Sequence, residues 1–158
     1  MSSHVEPDFA RAADVRRVAV VQLLSLYRSE LAATQTYTIA LGHESLAFYS
    51  AVLRRQKRVH EERLAALAER LLDLHERPPA SSGAWGTFVR LVADFTAGAT
   101  PTLALAVLAE EEETLANDYV GSLSILDAAS CDVVVERLLP GQNVTLRVIR
   151  RIHDQSAA

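Results

Sequence analysis

The chain has 158 residues, of which 49% are hydrophobic and 23% are charged, and its formal net charge at neutral pH is −4. This length fits one domain with one hydrophobic core, and the composition excludes a largely disordered chain. The weak net charge and the scattered basic residues predict neither a nucleic-acid partner nor binding to an anionic membrane surface.

The cysteine content, the length of the apolar runs and the N-terminal residues exclude further classes of protein. A single cysteine, Cys131, excludes an intrachain disulfide and a cysteine-rich zinc or iron–sulfur site. No apolar run approaches the roughly 20 residues that a membrane-spanning helix needs, and the N-terminal residues do not have the pattern of a secretory signal. We therefore expect a cytoplasmic protein without a membrane partner.

The first half of the chain predicts two long helices. Apolar residues recur at helical spacing over residues 11–41 and again over residues 44–76. Gly42 stands where a left-handed residue would end the first helix, and Pro78 prevents the second from continuing. Because the link between them is short, the two helices are expected to be antiparallel neighbours.

A long connection then leads to a third helix. Its middle is rich in apolar residues and predicts a short helix over residues 84–96. Thr100 and Pro101 are a favoured cap and first-turn residue, so the third long helix is expected over residues 101–126.

The last predicted helix covers residues 131–154. A break is expected near Pro140, since proline in a helix interior removes a backbone hydrogen bond. The elements together predict an all-α protein, a single domain over residues 1–158. Its architecture is an antiparallel four-helix bundle with a long crossover between the second and third helices.

Two of the predicted helices carry a glutamate seven residues before a tyrosine. Glu30 precedes Tyr37 on the first helix and Glu112 precedes Tyr119 on the third, each on an otherwise apolar face. Buried charges need partners, so these carboxylates are candidates for a polar or metal-binding centre. Di-iron and di-manganese bundles use one Glu from each of two helices and a Glu-x-x-His pair from each of the other two.

Three segments resemble the ferritin-like superfamily, most closely its rubrerythrin-type domains and small bacterial ferritin-like domains of unknown function. They are SELAATQTY at residues 29–37, RRQKRVHEERL at residues 54–64 and EEEETLANDY at residues 110–119. The resemblance extends over residues 16–126. It implies a ferritin-like fold and iron or manganese as the metal, with the following metal ligands: Glu30, His60, Glu112, and in addition Glu113 or His153.

The sequence departs from the family pattern at two positions. Lys57 lies three residues before His60, and Arg150 lies three residues before His153, where the family has glutamate. Cations at these positions would neutralise the inward carboxylates, so that a metal ion is not needed to balance their charge. On this interpretation no cofactor is expected. The register of the last helix decides whether Arg150 or His153 faces Glu112. The predicted core polar network consists of Glu30, Tyr37, Gln56, Lys57, Glu112, Tyr119, Gln142 and Arg150.

Our first hypothesis is a ferritin-like bundle with an incomplete di-metal ligand set that acts as a non-catalytic or binding module rather than an enzyme. Apolar residues expected at the surface, Val18, Val21 and Leu72, favour a homodimer. The alternative is a protein that binds iron or manganese in oxidative-stress defence or iron handling. A third hypothesis is an adaptor that binds a partner protein. No phosphate-binding loop or nucleophile elbow supports another enzyme class.

Overall fold

The computed structural model describes residues 6–83 and 98–158, with side chains from residue 13 onward. All regular structure in these residues is helical, as predicted. The elements are α1 (Glu6–Leu41), a 3₁₀ helix (Glu44–Tyr49), α2 (Ser50–Asp73), α3 (Pro101–Ser122), α4 (Ala128–Asp132), a π-helical turn (Val133–Leu138) and α5 (Leu139–Ala157). The short helix predicted over residues 84–96 lies outside the described residues.

The ends of the first two helices differ from the prediction. Gly42 does not adopt a left-handed conformation, because i to i+3 hydrogen bonds such as Gly42 N to Ile39 O (3.0 Å) tighten the last turn of α1 instead. The left-handed residue is His75, with φ 61°. It ends α2 in a Schellman motif, in which Glu76 N donates to Leu71 O at 2.9 Å.

The start of α3 agrees with the prediction. The side chain of Thr100 accepts a hydrogen bond from Leu103 N at 3.3 Å, and Pro101 occupies the first turn. Thr100 pairs one of the free amide donors at the start of the helix, and Pro101 has no amide N–H to leave unpaired.

The break expected near Pro140 takes the form of a π-helical turn, Val133–Leu138, after which a new α-helical element begins at Leu139. The chain stays helical from α4 through the π turn into α5, and Pro140 lies in the first turn of α5. In the π turn Leu139 N donates to Val134 O, five residues earlier. Pro140 thus lies in the first turn of α5, where proline is tolerated.

An ion pair fixes the start of α4 to α2. Arg70 donates from Nη2 to Asp127 Oδ1 at 3.0 Å and from Nε to Ser130 Oγ at 2.9 Å. Asp127 also caps α4 by accepting from Ser130 N at 3.1 Å. These contacts position the last helical segment against the rest of the bundle.

The core consists of two apolar clusters with polar side chains between them. Leu26, Leu67, Leu71, Leu115 and Leu138 belong to one cluster. Leu46, Leu53, Leu105, Leu108 and Ile149 belong to the other. On α2, His60 lies in sequence between the two clusters, and on α3 Glu112 does. A buried polar centre inside an apolar core must be fully paired to be tolerated.

Within residues 6–83 and 98–158, none of the helices combines the length and apolar character needed to cross a membrane.

Candidate functional site

The two glutamates that lead the sequence motifs are both buried, and each bonds to the tyrosine of the other helix. Tyr119 of α3 donates its hydroxyl to Glu30 Oε1 of α1 at 2.5 Å. Tyr37 of α1 donates to Glu112 Oε1 of α3 at 2.6 Å. The seven-residue spacing, about two helical turns, therefore connects α1 and α3 by two crossed pairs.

His60 of α2 lies between the two carboxylates. Its Nδ1 is 2.7 Å from Glu30 Oε2 and its Nε2 is 2.8 Å from Glu112 Oε1. Burial would lower the pKa of His60, but the charges of Glu112 and Glu30 and their hydrogen bonds outweigh burial and raise the pKa to about 9. At neutral pH the ring is therefore an imidazolium that bridges two carboxylates.

Arg63, one turn further along α2, is the second cation of this centre. Its side chain is only 2% exposed, and its Nε donates to Glu30 Oε1 at 2.7 Å. Nη1 lies 3.4 Å from Thr145 Oγ1, and Nη2 lies 2.7 Å from His60 Nδ1. Nη2 and Nδ1 are both donors when His60 is protonated; Nδ1 then donates to Glu30 Oε2 and Arg63 donates to Glu30 Oε1 through Nε, so one carboxylate holds the two cations close together.

The four charged groups balance. Two carboxylates, Glu30 and Glu112, face one imidazolium and one guanidinium, so the formal charge of the centre is zero at neutral pH. Burial alone would raise the pKa of each carboxyl, but the positive charge of His60, with that of Arg63 and the hydrogen bonds, lowers both pKa values. The centre is thus a paired and hydrogen-bonded ion network, the form in which buried charge is tolerated.

The last long helix supplies two uncharged residues to the same centre. Gln142 of α5 donates from Nε2 to both the backbone oxygen and Oε2 of Glu112, each at 2.8 Å. Thr145, three residues later, donates to Gly141 O at 3.1 Å and is the α5 neighbour of Arg63. All four oxygens of the two carboxylates, Glu30 and Glu112, therefore accept a hydrogen bond.

Two amide oxygens in the core lack a donor. The Oε1 atoms of Gln56 and Gln142 are buried and accept no hydrogen bond within the described part of the chain. Gln56 is buried, as predicted, but within the described residues it makes no hydrogen bond to the glutamates or tyrosines of the centre, so its predicted place in the polar network is wrong. Gln142 uses its donor side toward Glu112 and leaves its acceptor side free.

A third carboxyl lies at the edge of the network. Glu111 is half-buried between α1 and α3, and its Oε1 accepts a hydrogen bond from Thr36 Oγ1 at 3.1 Å. Burial and the negative charge of Glu112 raise the pKa of Glu111 to about 7. The sequence gives no sign of this, because Glu111 stands in an acidic run, residues 110–113, of the kind that is typical of a solvated face.

The two cations predicted to neutralise the carboxylates do not reach them, and this prediction is wrong. Lys57 is 28% exposed and pairs with Glu61 at 3.1 Å. Arg150 is 49% exposed and pairs with Glu113 at 2.9 Å. The buried cation is Arg63, three residues after His60 rather than three before it.

Arg63 could have been found from the spacing. The inner face of α2 continues through Leu53, Gln56, His60 and Leu67, all of which are buried. A step of three residues from His60 along this face reaches Arg63. The helical spacing indicates that Arg63 faces inward, but Arg63 follows two glutamates, and such a run of charged residues is typical of a solvated face.

The residues proposed as additional metal ligands lie apart from the centre. His153 is partly exposed and lies 3.5 Å from Asp154, and Glu113 lies on the outer side of α3 with Arg150. Neither Arg150 nor His153 faces Glu112. The inner face of α5 consists of Gln142, Thr145, Ile149 and Ile152.

Glu30, His60 and Glu112 do come together, but their arrangement does not fit a di-metal centre. The two carboxylates contact opposite nitrogens of one imidazole ring, and the guanidinium of Arg63 occupies a place beside Glu30. A guanidinium has no lone pair to give a metal and stays protonated. In the part of the chain that the structure describes, no three His, Cys, Asp or Glu side chains are arranged to hold a metal ion.

No family model, curated protein or solved structure gives a significant match to this chain. Its function must therefore be inferred from the geometry of the buried centre and from the arrangement of the helices.

Proposed function

We propose that this chain is a ferritin-like four-helix bundle that acts as a non-catalytic binding module, with an ion network where a di-metal centre would stand. The observation that carries this proposal is the 2.7 Å hydrogen bond from Arg63 Nε to Glu30 Oε1 in a fully buried site. A cation that belongs to the chain neutralises the carboxylate, so a metal is not needed to stabilise it.

The contacts between helices support a ferritin-like order. Residues 30 and 37 of α1 pair with residues 119 and 112 of α3, respectively, so these two helices run in opposite directions. Arg16 of α1 donates to Leu74 O just beyond α2, whereas Tyr37 packs on His60 with ring centroids 4.9 Å apart. On this basis α2 also runs opposite to α1.

It follows that α2 and α3 are parallel. Leu53 shares a cluster with Leu105, and Leu71 shares the other with Leu115, which is the order expected of parallel helices. The end of α2 and the start of α3 therefore lie at opposite ends of the bundle. Parallel second and third helices, which need a long crossover between them, distinguish ferritin-like bundles from bundles with only short loops.

The hydrogen-bond pattern of the centre supports a structural rather than a catalytic role. Every carboxylate oxygen of Glu30 and Glu112 accepts from a donor of the chain. A general base or nucleophile needs a free face toward a substrate, and these groups present none. We assign no catalytic residue.

The alternative function is iron or manganese binding in oxidative-stress defence or iron handling. One observation favours it, namely that His60 lies within hydrogen-bond distance of both Glu30 and Glu112. Carboxylate and imidazole are suitable ligands for these metals. For this alternative to hold, Arg63 must leave Glu30 and the His60 ring must give up its bridging position.

Metal content decides between the two functions. The native protein, purified without chelator, should contain iron and manganese far below one atom per chain by elemental analysis. Glu30→Ala and Glu113→Ala provide a matched pair, one at the centre and one on the outer side of α3. Near-stoichiometric metal that Glu30→Ala removes and Glu113→Ala retains would establish the alternative.

Activity assays provide a second criterion. Oxidation of ferrous iron and reduction of peroxide should proceed no faster with the protein than in buffer. Acceleration that is lost in Glu30→Ala would assign an enzymatic function to the centre.

We further propose a cytoplasmic homodimer as the working form. Val18, Val21 and Leu72 leave apolar surface exposed on α1 and α2, with Val21 at 62% exposure. Light scattering should give twice the 17.3 kDa chain mass, and Val21→Lys should reduce it to the mass of one chain. A monomer that instead retains a distinct protein in a pull-down would point to the adaptor hypothesis.

A further inference from the structure

We propose that Arg63 is the residue that keeps metal out of the buried centre, and that its removal converts the centre into a site for one divalent transition-metal ion. This inference rests on the proposed function and assigns the exclusion of metal to one side chain.

The position of the guanidinium is the first argument. Its three nitrogens lie 2.7 Å from Glu30 Oε1, 3.4 Å from Thr145 Oγ1 and 2.7 Å from His60 Nδ1. The groups around it are thus a carboxylate, a hydroxyl and an imidazole nitrogen, which are metal-ligand types. Arg63 occupies the space that these three groups border.

The enclosure of Arg63 is the second argument. The side chain is 2% exposed, and the backbone of α5 comes so close that a Cβ placed on Gly141 would lie 3.5 Å from Nη1. An ion from solution cannot displace a guanidinium held between α2 and α5 without moving the helices. Metal is excluded by occupancy of the site as well as by charge.

Charge balance is the third argument. Without Arg63, the two carboxylates of Glu30 and Glu112 face only one imidazolium, and the centre has a formal charge of −1. A divalent ion that takes the place of Arg63 and binds Glu30 and neutral His60 restores neutrality, since its two positive charges balance the two negative charges of Glu30 and Glu112. The proton leaves His60 for the solvent as the ion binds.

The experiment titrates Zn²⁺ and Mn²⁺ separately into metal-free wild type and Arg63→Ala, by calorimetry and by thermal unfolding with and without the ion. We expect Arg63→Ala to bind one ion per chain, at least about tenfold more tightly than wild type, with a raised midpoint of unfolding. Binding should release a proton, measured as a dependence of the heat on the ionisation enthalpy of the buffer.

Two variants control for trivial explanations. Arg70→Ala removes another ion-paired arginine of α2, which contacts Asp127 and not Glu30, and should behave as wild type toward metal. Adding Glu30→Gln to Arg63→Ala should abolish the new binding. If the double variant binds as well as Arg63→Ala, the inference is wrong.

Arg63→Ala leaves a buried charge unpaired and can fail to fold without metal. Circular dichroism then follows refolding on addition of Zn²⁺, and Arg63→Gln, which fills more of the site, is titrated in parallel. Metal-dependent folding or binding in either variant supports the inference, and its absence in both overturns it. If the wild type binds metal, both the proposed function and this inference are wrong. If neither the wild type nor the two Arg63 variants bind metal, only this inference is wrong.

Discussion

The hydroxyl of Tyr37 on α1 donates a 2.6 Å hydrogen bond to the carboxylate of Glu112 on α3. The donor and acceptor are 75 residues apart in the chain, and both side chains are buried. A hydrogen bond to a buried charged group contributes more to stability than one between neutral groups, because water cannot solvate the buried charge if the bond is lost. The contact therefore gives a direct measure of how strongly the network holds α1 to α3.

Tyr37→Phe should lower the free energy of unfolding by about 1.5–3 kcal/mol, the range for a lost hydrogen bond to a charged group. The ring, and with it the packing on His60, is retained, so the loss reports the hydroxyl alone. Urea denaturation measures it. Tyr49→Phe is the control, because within the described residues the Tyr49 hydroxyl makes no hydrogen bond, and an equal loss in both variants would contradict the assignment.

Glu112→Gln tests the charge balance of the network. The substitution keeps the shape of the side chain but leaves His60 and Arg63 facing one carboxylate, so we expect a loss of about 3–5 kcal/mol, as for a broken buried ion pair. Glu113→Gln, at the next residue, breaks only the exposed pair with Arg150 and should change stability by no more than about 0.5 kcal/mol. Chemical denaturation of the two variants at pH 6 makes the comparison, and similar losses would argue against a buried network.

Glu111 should make the stability of the protein fall between about pH 4.5 and 7. The folded protein keeps a proton on Glu111 up to a pKa of about 7, whereas the unfolded chain releases it near 4.5. Unfolding therefore releases a proton in this window, and raising the pH favours the unfolded state by about 1–3 kcal/mol in total. Glu111→Gln should remove this decrease and be more stable than wild type at pH 8, whereas Glu110→Gln should retain it.

His60 should cause a second decrease at higher pH. Its pKa is raised from 6.5 to about 9 in the folded protein, so the stability that its charge contributes is complete below pH 6.5 and is lost as the pH rises through 9. His60→Gln should be less stable than wild type at pH 6 but show no decrease of this origin from pH 6.5 to 9. His43→Gln, just beyond the end of α1, should keep the wild-type decrease, and a flat wild-type profile would contradict the imidazolium assignment.

The helices could be predicted from the sequence because their apolar residues repeat at helical spacing over many turns. The same spacing placed Glu30, Tyr37, Glu112 and Tyr119 on inner faces, and all four are buried in the structure. A polar residue in the middle of an apolar stripe lies on the same face of the helix as its apolar neighbours and is buried with them. For these residues the local pattern contained enough information.

Arg63 lies on the same helical spacing, but the spacing alone could not show that this cation is buried. Its environment depends on Glu30, 33 residues earlier on another helix, and local sequence contains no information about that distance. A charged residue beside Glu61 and Glu62 has the pattern of a solvated face, and only the tertiary partner reverses that interpretation. The assignment of Lys57 and Arg150 to the core failed for the same reason.

The π turn over Val133–Leu138 determines which face of α5 meets the rest of the protein. Successive residues of an α-helix are about 100° apart around the axis, and a π turn adds one residue to the winding, so everything after it is rotated by roughly that angle. With this rotation Gln142 bonds to Glu112 of α3, and Thr145 lies beside Arg63 of α2. In an uninterrupted α-helix the inner positions would fall one residue earlier, at Gly141 and Val144, so the added residue is what brings an amide and a hydroxyl group to the charged network.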